Sequence, residues 1–322
     1  MALIRPDSAK VNPRFLFLYF FGQDWRNTIS GNILSGATVD RIPLTKFPEF
    51  EVNIPPRPVQ DKIAEILSAY DDLIENNTRR VKILEQMAQM LYREWFVNFR
   101  FPGHEKVKMV ESEMGLIPEK WTPEILRDVC SSLEYGYTAS AVQQPVGPRF
   151  LRITDIVPST INWHDVPYCT LPPGKLGKYK LNEGDIVVAR TGATTGYAKR
   201  MDKRHPESVF ASYLVRLRIK PEHSSHLFGV LVESDDYKRF ITANLGGAAQ
   251  PQANAQVLTS IPVLIPPQSL QRSFSSNVEP LLDERELLQI KNLNLRSTRD
   301  LLLPKLVSGE VSVEQIEEEA FA

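Results

Sequence analysis

Cysteine is nearly absent. The 322 residues hold only Cys130 and Cys169, with no CxxC pair. Two distant thiols read as reduced cysteines of a cytoplasm and exclude a disulfide framework. Long apolar runs are missing as well. The longest, Phe15-Leu16-Phe17-Leu18-Tyr19-Phe20-Phe21, ends at Gly22, far short of the ~18 residues of a membrane span. No basic-then-apolar leader opens the chain. Charge imbalance is also lacking: 38 Lys+Arg meet 39 Asp+Glu for a net charge of -1, which argues against a non-specific polyanion coat. Catalytic signatures are scarce. There is no GxxxxGK[ST] phosphate loop, no GxGxxG turn and no nucleophile elbow, and Ile54-Pro55-Pro56 lacks the Asn of an amino-methyltransferase motif. His223 and His226 flank two serines without an acid or thiol at ligand spacing, so they read as a solvated loop. Asp155 and Asp185 read as lone acids at strand ends.

What the chain does contain is an internal repeat. Phe50 to Gln60 matches Ile261 to Gln271 at an offset of 211, with Ile54-Pro55-Pro56 lying on Ile265-Pro266-Pro267. The same offset sets Gly36-Ala37 on Gly247-Ala248 and Asp72 on Asp283. Upstream, Phe15-Leu16-Phe17 resembles Leu227-Phe228 after a small gap.

Each Ile-Pro-Pro opens a helical pattern, since proline suits an extended lead-in and a first helical turn. In the first helix Ile63, Tyr70, Asn77, Leu84 and Leu91 recur every seven residues, with Ile66, Leu73 and Met87 between them. In the second, Phe274, Leu281, Leu288, Leu295 and Leu302 keep the same register. Such a ladder over roughly four heptads predicts a coiled-coil seam. Residues 59–97 and 270–303 are expected to pair antiparallel, with the polar Asn77 setting geometry and Pro304 ending or kinking the second helix. The alternative places each helix on its own globular domain.

Between the repeats, short β-rich runs (150–153, 185–190, 208–210, 214–217) alternate with turns, and 227–232 and 236–244 read as short helices. This is a compact α+β module. Between Cys130 and Glu222 it carries 13 Lys+Arg against 8 Asp+Glu, on a chain that is neutral as a whole. Such segregation fits a DNA-facing module on a neutral scaffold.

Its loops carry the candidate contacts. Arg190 to Arg200 follows an apolar strand and combines Gly192, the hydroxyls of Thr191, Thr194 and Thr195, Tyr197, Lys199 and Arg200. Glycine permits close backbone approach, hydroxyls bind phosphate and arginine pairs with guanine. A plain Gly-rich hairpin explains the pattern equally well. Tyr135, Tyr137 and Thr138 form a second loop whose rings suit base contacts or a core. Arg149, Arg152 and Thr154 form a third, and Ser212 and Tyr213 precede the last strand. Gln250 and Gln252 are able to pair with adenine, but also suit a solvated loop.

Taken in order, these segments resemble the specificity (S) subunit of type I restriction–modification systems. The carrying stretches are GLIPEKW (115–121), GPRFLRITDI (147–156), LNEGDIVVARTGATTG (181–196), SVFASYLVRLRI (208–219), IPPRPVQDKIAEILSAYDDLIENN (54–77) and LLLPKLVSGEV (301–311). The resemblance implies an α+β fold with two long antiparallel helices. It implies a C-terminal remnant of a first recognition domain at 1–53, a first scaffold helix at 54–105, a complete recognition domain at 106–264, and a second helix with acidic tail at 265–322. It implies a non-catalytic prokaryotic DNA reader. Its partners are double-stranded DNA, modification (M) subunits with S-adenosylmethionine, and ATP- and Mg-dependent restriction (R) subunits. A chain with one whole reader is expected to recognise a half-site and to need self-association or a second S chain for a two-part site. The competing reading is a structural adaptor that recruits partners without reading bases.

Overall fold

A computed structural model describes residues 3–34, 41–42, 45–158, 160–245 and 253–313. Nine helices among these residues are α1 (Pro13–Tyr19), α2 (Gln23–Gly31), α3 (Arg57–Tyr92), α4 (Ile153–Ile156), α5 (Leu176–Tyr179), α6 (Ser225–Val232), α7 (Asp235–Asn244), α8 (Ala255–Leu258) and α9 (Gln268–Ser308). Ten strands accompany them: β1 (Met109–Ser112), β2 (Gly115–Pro118), β3 (Thr122–Ile125), β4 (Cys130–Tyr135), β5 (Arg149–Leu151), β6 (Ile186–Ala189), β7 (Ala198–Arg200), β8 (Ser208–Phe210), β9 (Leu214–Ile219) and β10 (Pro262–Ile265). The chain divides into two compact units, 1–80 with 288–322, and 81–287. The repeat loops Gly36-Ala37 and Gly247-Ala248, and the acidic tail, include positions outside the described residues.

In the first unit, α1 starts at Asn12, whose side chain accepts from the Arg14 and Phe15 backbone amides. Phe15, Leu18 and Tyr19 then bury against Ile63, Ala64 and Leu67 of α3 and Leu303, Leu306 and Val307 of α9. That core explains why α9 does not stop at Pro304. The ring removes one backbone donor, but the flanking leucines are buried and the helix continues to Ser308. Two polar contacts join the same helices: Asn77 Nδ2 to Asn292 Oδ1 at 3.0 Å, and Arg299 to Asp71 at 2.6 Å.

The heptad positions of α3 and α9 are buried or half-buried, and a second buried row accompanies them on α3. Ile63, Phe274 and Leu288 are buried, and Tyr70, Asn77, Leu84, Leu91, Leu281, Leu295 and Leu302 half-buried. The second buried row of α3 is Gln60, Leu67, Ile74, Val81, Ala88 and Trp95, whereas Leu73 and Met87 are exposed. A helix advances 100° per residue, so the row three before each seam position shares its face.

The second unit is the α+β module. A four-stranded sheet of order β4-β9-β6-β7 is antiparallel throughout. β6 is buried along its length, as its unbroken Ile-Val-Val-Ala run requires. One face packs on α6, α7, Trp95, Trp121 and Phe274, and the other on Leu151, Ile156, Val166 and Met201. β5 and β8 pair in parallel, and β3 pairs antiparallel with β10. Trp95 and Phe96 from the π-helical turn after α3 stack edge-on against Phe274 of α9 at 5.9 and 4.9 Å.

Candidate nucleic-acid interface

The ends of β4, β6 and β8 bring three sequence-distant loops together. The Arg190 amide donates to Tyr213 O at 3.0 Å, the Ser212 amide to Tyr137 O at 2.9 Å, and the Tyr137 amide to Phe210 O at 2.8 Å. The approach is close: a Cβ on Gly136 would lie 2.2 Å from the Ala211 carbonyl oxygen, so only glycine fits between the two tyrosines. The segment that begins at Ala253 joins the cluster, because the Ala253 amide donates to Arg190 O and the Ala255 amide to Tyr135 Oη.

Arg190 is the centre of this surface. Its guanidinium lies 4.9 Å from the centre of the Tyr135 ring, a stacking that fixes the planar fork. One terminal nitrogen reaches Ser212 O only at 3.5 Å, and Nε is buried without a hydrogen-bond partner. A half-buried cation whose donors are so weakly engaged is poised for an acceptor. Tyr213 beside it is 60% exposed, and Tyr135 43%. Thr191, Gly192 and Thr194 are half-buried on the same loop and Thr138 is exposed on its neighbour. Thr195 is buried and spends its hydroxyl on Gly192 O, closing the turn. Tyr197 is half-buried beneath Lys238, whose ammonium sits 4.9 Å from its ring.

Other expected contacts are engaged internally. Lys199 and Arg200 lie on β7 beside a cavity of about 480 Å³ lined by α3, α6, α7 and α9. Glu233 gathers them: Lys199 Nζ is 3.7 Å away, Arg285 3.4 Å, and the Arg200 amide donates to it at 3.0 Å. Burial pulls Lys199 below the usual lysine range, against the attraction of Glu233. Burial pushes Glu233 up, but Lys199 and Arg285 outweigh it and hold the carboxylate low. Arg149 donates to the His164 and Val166 carbonyls and stacks on Tyr168 at 4.1 Å. Arg152 forms a two-point pair with Asp155 at 2.8 and 3.0 Å, so Asp155 is a helix-capping partner rather than a lone acid. Thr154 is exposed next to it. Gln250 and Gln252 lie outside the described residues.

The excess of basic residues is therefore partly spent inside the fold. Arg216 is 1% exposed, contacts Glu134, lies 3.6 Å from Asp185 and donates to the Lys180 carbonyl at 2.6 Å. Burial lowers it to about 10. Asp185 also pairs with Arg218 at 3.0 Å, so it too has partners that spacing did not reveal. Lys203 and Arg204 reach Asp283 of α9 at 2.8 and 3.3 Å, and Arg204 reaches Glu286 at 3.2 Å. Burial and Asp202 push Glu286 up to about 9, whereas Lys203 and Arg204 outweigh burial and hold Asp283 low. Burial also pushes the Cys130 and Cys169 thiols up to about 12 and about 11, leaving them protonated and inert. Among the described residues no group of His, Cys, Asp or Glu is set to hold a metal, and no helix is long and apolar enough to cross a membrane.

Residues 1–86 and 118–295 match the family described as the type I restriction modification DNA specificity domain. The chain belongs to that family. Its role is DNA sequence specificity, and the S-subunit resemblance read from the motifs holds. The type I restriction enzyme MjaIX specificity subunit of Methanocaldococcus jannaschii is 28% identical over 92% of this chain and 69% of its own length. The HindI specificity subunit of Haemophilus influenzae is 24% identical over 96% of this chain and 80% of its own. The crystal structure of a type I restriction–modification S subunit from M. genitalium shares the fold, with a TM-score of 0.58 and 17% identity over 94% of this chain and 74% of that one. As a member of the specificity family the chain is a non-catalytic subunit. The Arg190–Tyr135 stack and the Gly136 contact were invisible in the sequence, because only strand pairing brings those loops together. The Arg-Thr-Gly stretch was the signal that pointed to one of them.

Proposed function

We propose that this S-family chain reads one half of a DNA site through the loops around Tyr135–Tyr137, Arg190–Thr194 and Ser212–Tyr213. Arg190 makes the principal base or phosphate contact. The supporting observation is the Arg190 guanidinium, stacked on Tyr135 with weakly engaged donors, on the rim where three loops converge. Arg149, Arg152, Lys199 and Arg200 act as scaffold, since each already holds an internal partner. α3 and α9 form an antiparallel coiled coil that spaces the reader, a reading supported by the Asp71–Arg299 and Asn77–Asn292 pairs, whose numbers run in opposite directions.

With no chemistry of its own, such a chain directs M subunits carrying S-adenosylmethionine, and R subunits using ATP and Mg, to its target in a prokaryotic cytoplasm. A two-part site requires a second recognition module beside this one. Footprinting of the chain with its M subunit, on DNA of graded salt, tests the assignment. A half-site footprint whose affinity falls steeply with salt is expected. Salt-insensitive partner recruitment without a footprint would favour the adaptor reading instead.

A further inference from the structure

Internal pairing consumes most of the positive charge of the α+β module, which holds 13 Lys+Arg between Cys130 and Glu222. Arg152, Lys180 and Arg218 pair with the module's own Asp155, Glu207 and Asp185. Arg216 meets Glu134, Lys199 meets Glu233, and Lys203 and Arg204 meet Asp283. Arg149 and Arg200 spend donors on carbonyls and on Ser225. Lys175, Lys178, Arg190 and Lys220 take part in no ion pair among the described residues.

The sheet separates these four. β4 and β9 run antiparallel, with Tyr135 beside Val215 and Cys130 beside Ile219. Lys220 follows β9 at the Cys130 end, whereas Arg190 stacks on Tyr135 at the other.

α5 belongs to the Arg190 end. Its Leu176 and Tyr179 pack with Phe150, Val209 and Ala211 in a small core that Ala139 joins from the loop after Tyr137. The Tyr179 ring lies 5.2 Å from the Tyr137 ring. Buried Arg216 donates to the Lys178 and Lys180 carbonyls at 3.0 and 2.6 Å, and its partner across the ladder is Glu134, the residue before Tyr135. The ladder that ends at Tyr135 therefore also sets the position of α5.

Lys175 and Lys178 lie three residues apart on another face of the turn, and both are exposed. Lys178 Nζ sits 5.4 Å from the Tyr179 ring, a contact that leaves its three N–H donors open. An added Cβ on Gly174 or Gly177 would meet nothing, so the turn faces open space.

We propose that Lys175 and Lys178 clamp the DNA backbone, binding phosphates that flank the base pairs read at the Arg190 rim. An ammonium group binds phosphate oxygens as a point charge and reads no sequence, so the clamp adds affinity and leaves base preference to the rim. With Arg190, these two lysines are the part of the basic surplus that meets DNA. The inference rests on the reading of the rim as the DNA-facing surface.

Equilibrium titrations of the full chain against matched and mismatched half-sites, over a range of salt, test it. K175Q/K178Q should weaken both duplexes alike and flatten the slope of log K against log salt by about two. K175R/K178R keeps both charges and should keep the slope. An unchanged slope in K175Q/K178Q, while R190A alters slope or preference, overturns the clamp and leaves the rim reading standing. Wild-type binding that ignores both salt and sequence overturns the rim reading itself. Lost base preference at an unchanged slope would make the two lysines base readers. Lost co-purification with the M subunit at an unchanged slope would make α5 a protein contact. Either result overturns the phosphate assignment.

Discussion

Asn77 donates its side-chain amide to Asn292 at 3.0 Å, and Asn292 in turn donates to Ile74 O at 3.2 Å and Thr78 Oγ1 at 3.1 Å. Asn292 is 6% exposed, so its polar atoms have no recourse to water. Asn292→Ala should cost about 1–3 kcal/mol, because it removes the acceptor of the Asn77 amide and leaves a gap at a buried contact, while the Ile74 carbonyl keeps the Thr78 hydroxyl at 2.7 Å. A double-mutant cycle with Asn77→Ala should return a coupling of about 0.5–1.5 kcal/mol in chemical denaturation. Strict additivity would show that the pair contributes nothing.

Leu288 and Leu301 are neighbours in type but not in setting. Leu288 is 1% exposed and Leu301 65%. Leu288→Ala leaves a cavity and should cost about 2–5 kcal/mol, whereas Leu301→Ala should stay within about 0.5 kcal/mol. Equal melting temperatures for the two variants would contradict the buried face of α9.

Periodicity and turn chemistry revealed most of the secondary structure. The β runs at 185–190, 208–210 and 214–217 contain β6, β8 and the first part of β9, the run at 150–153 overlaps β5 but ends in α4, and the expected short helices coincide with α6 and α7 within two residues. Heptad spacing found Phe274 and Leu288 because burial repeats with the helix. It assigned Leu73 and Met87 to the wrong face, since hydrophobicity marks a face only when its neighbours are also apolar, and Gln60 and Asn292 are polar yet buried. Pro304 does not end α9 because local propensity yields to packing by Leu303 and Leu306. Among the site residues, charge type was legible and charge partners were not. Arg216 lies 82 residues from Glu134, and Arg204 lies 79 from Asp283, so no local spacing distinguishes a surface cation from a buried one.

His226 lies on α6 and is partly buried, not in the solvated loop expected for it, and it predicts a pH dependence. Burial, reinforced by Arg200, lowers its imidazole from 6.5 to about 4. The unfolded chain therefore takes up a proton near pH 6.5 that the folded chain refuses until about pH 4. Stability is complete above pH 6.5 and declines as the pH falls toward 4. His226→Gln removes that titration. The melting-temperature difference between wild type and variant should shift in the variant's favour across that window and stay flat from pH 7 to 8, as thermal scans in matched buffers would reveal.

Arg190 and Lys199 stand nine residues apart and should behave oppositely toward DNA. Arg190 is stacked on Tyr135 with its donors weakly held, while Lys199 is largely buried against Glu233. Arg190→Ala should cost about 1–3 kcal/mol of binding and relax the preference at one base pair if the contact is to a base edge. If it is to a phosphate, binding should weaken on all sequences, with the slope of log K against log salt flatter by roughly one. Either result keeps Arg190 on the interface. Lys199→Ala should leave that slope unchanged and instead lower the melting temperature, because Glu233 loses one of its two cations in a buried setting. Arg190→Lys discriminates further, since an ammonium keeps the charge but neither the planar stack on Tyr135 nor the fork that matches guanine. It should preserve salt dependence while losing sequence preference. Titrations of the three variants against matched and mismatched half-sites decide the matter: a flatter slope in Lys199→Ala, with Arg190→Ala silent, would move the DNA surface from the Tyr135 rim to the β7 cavity.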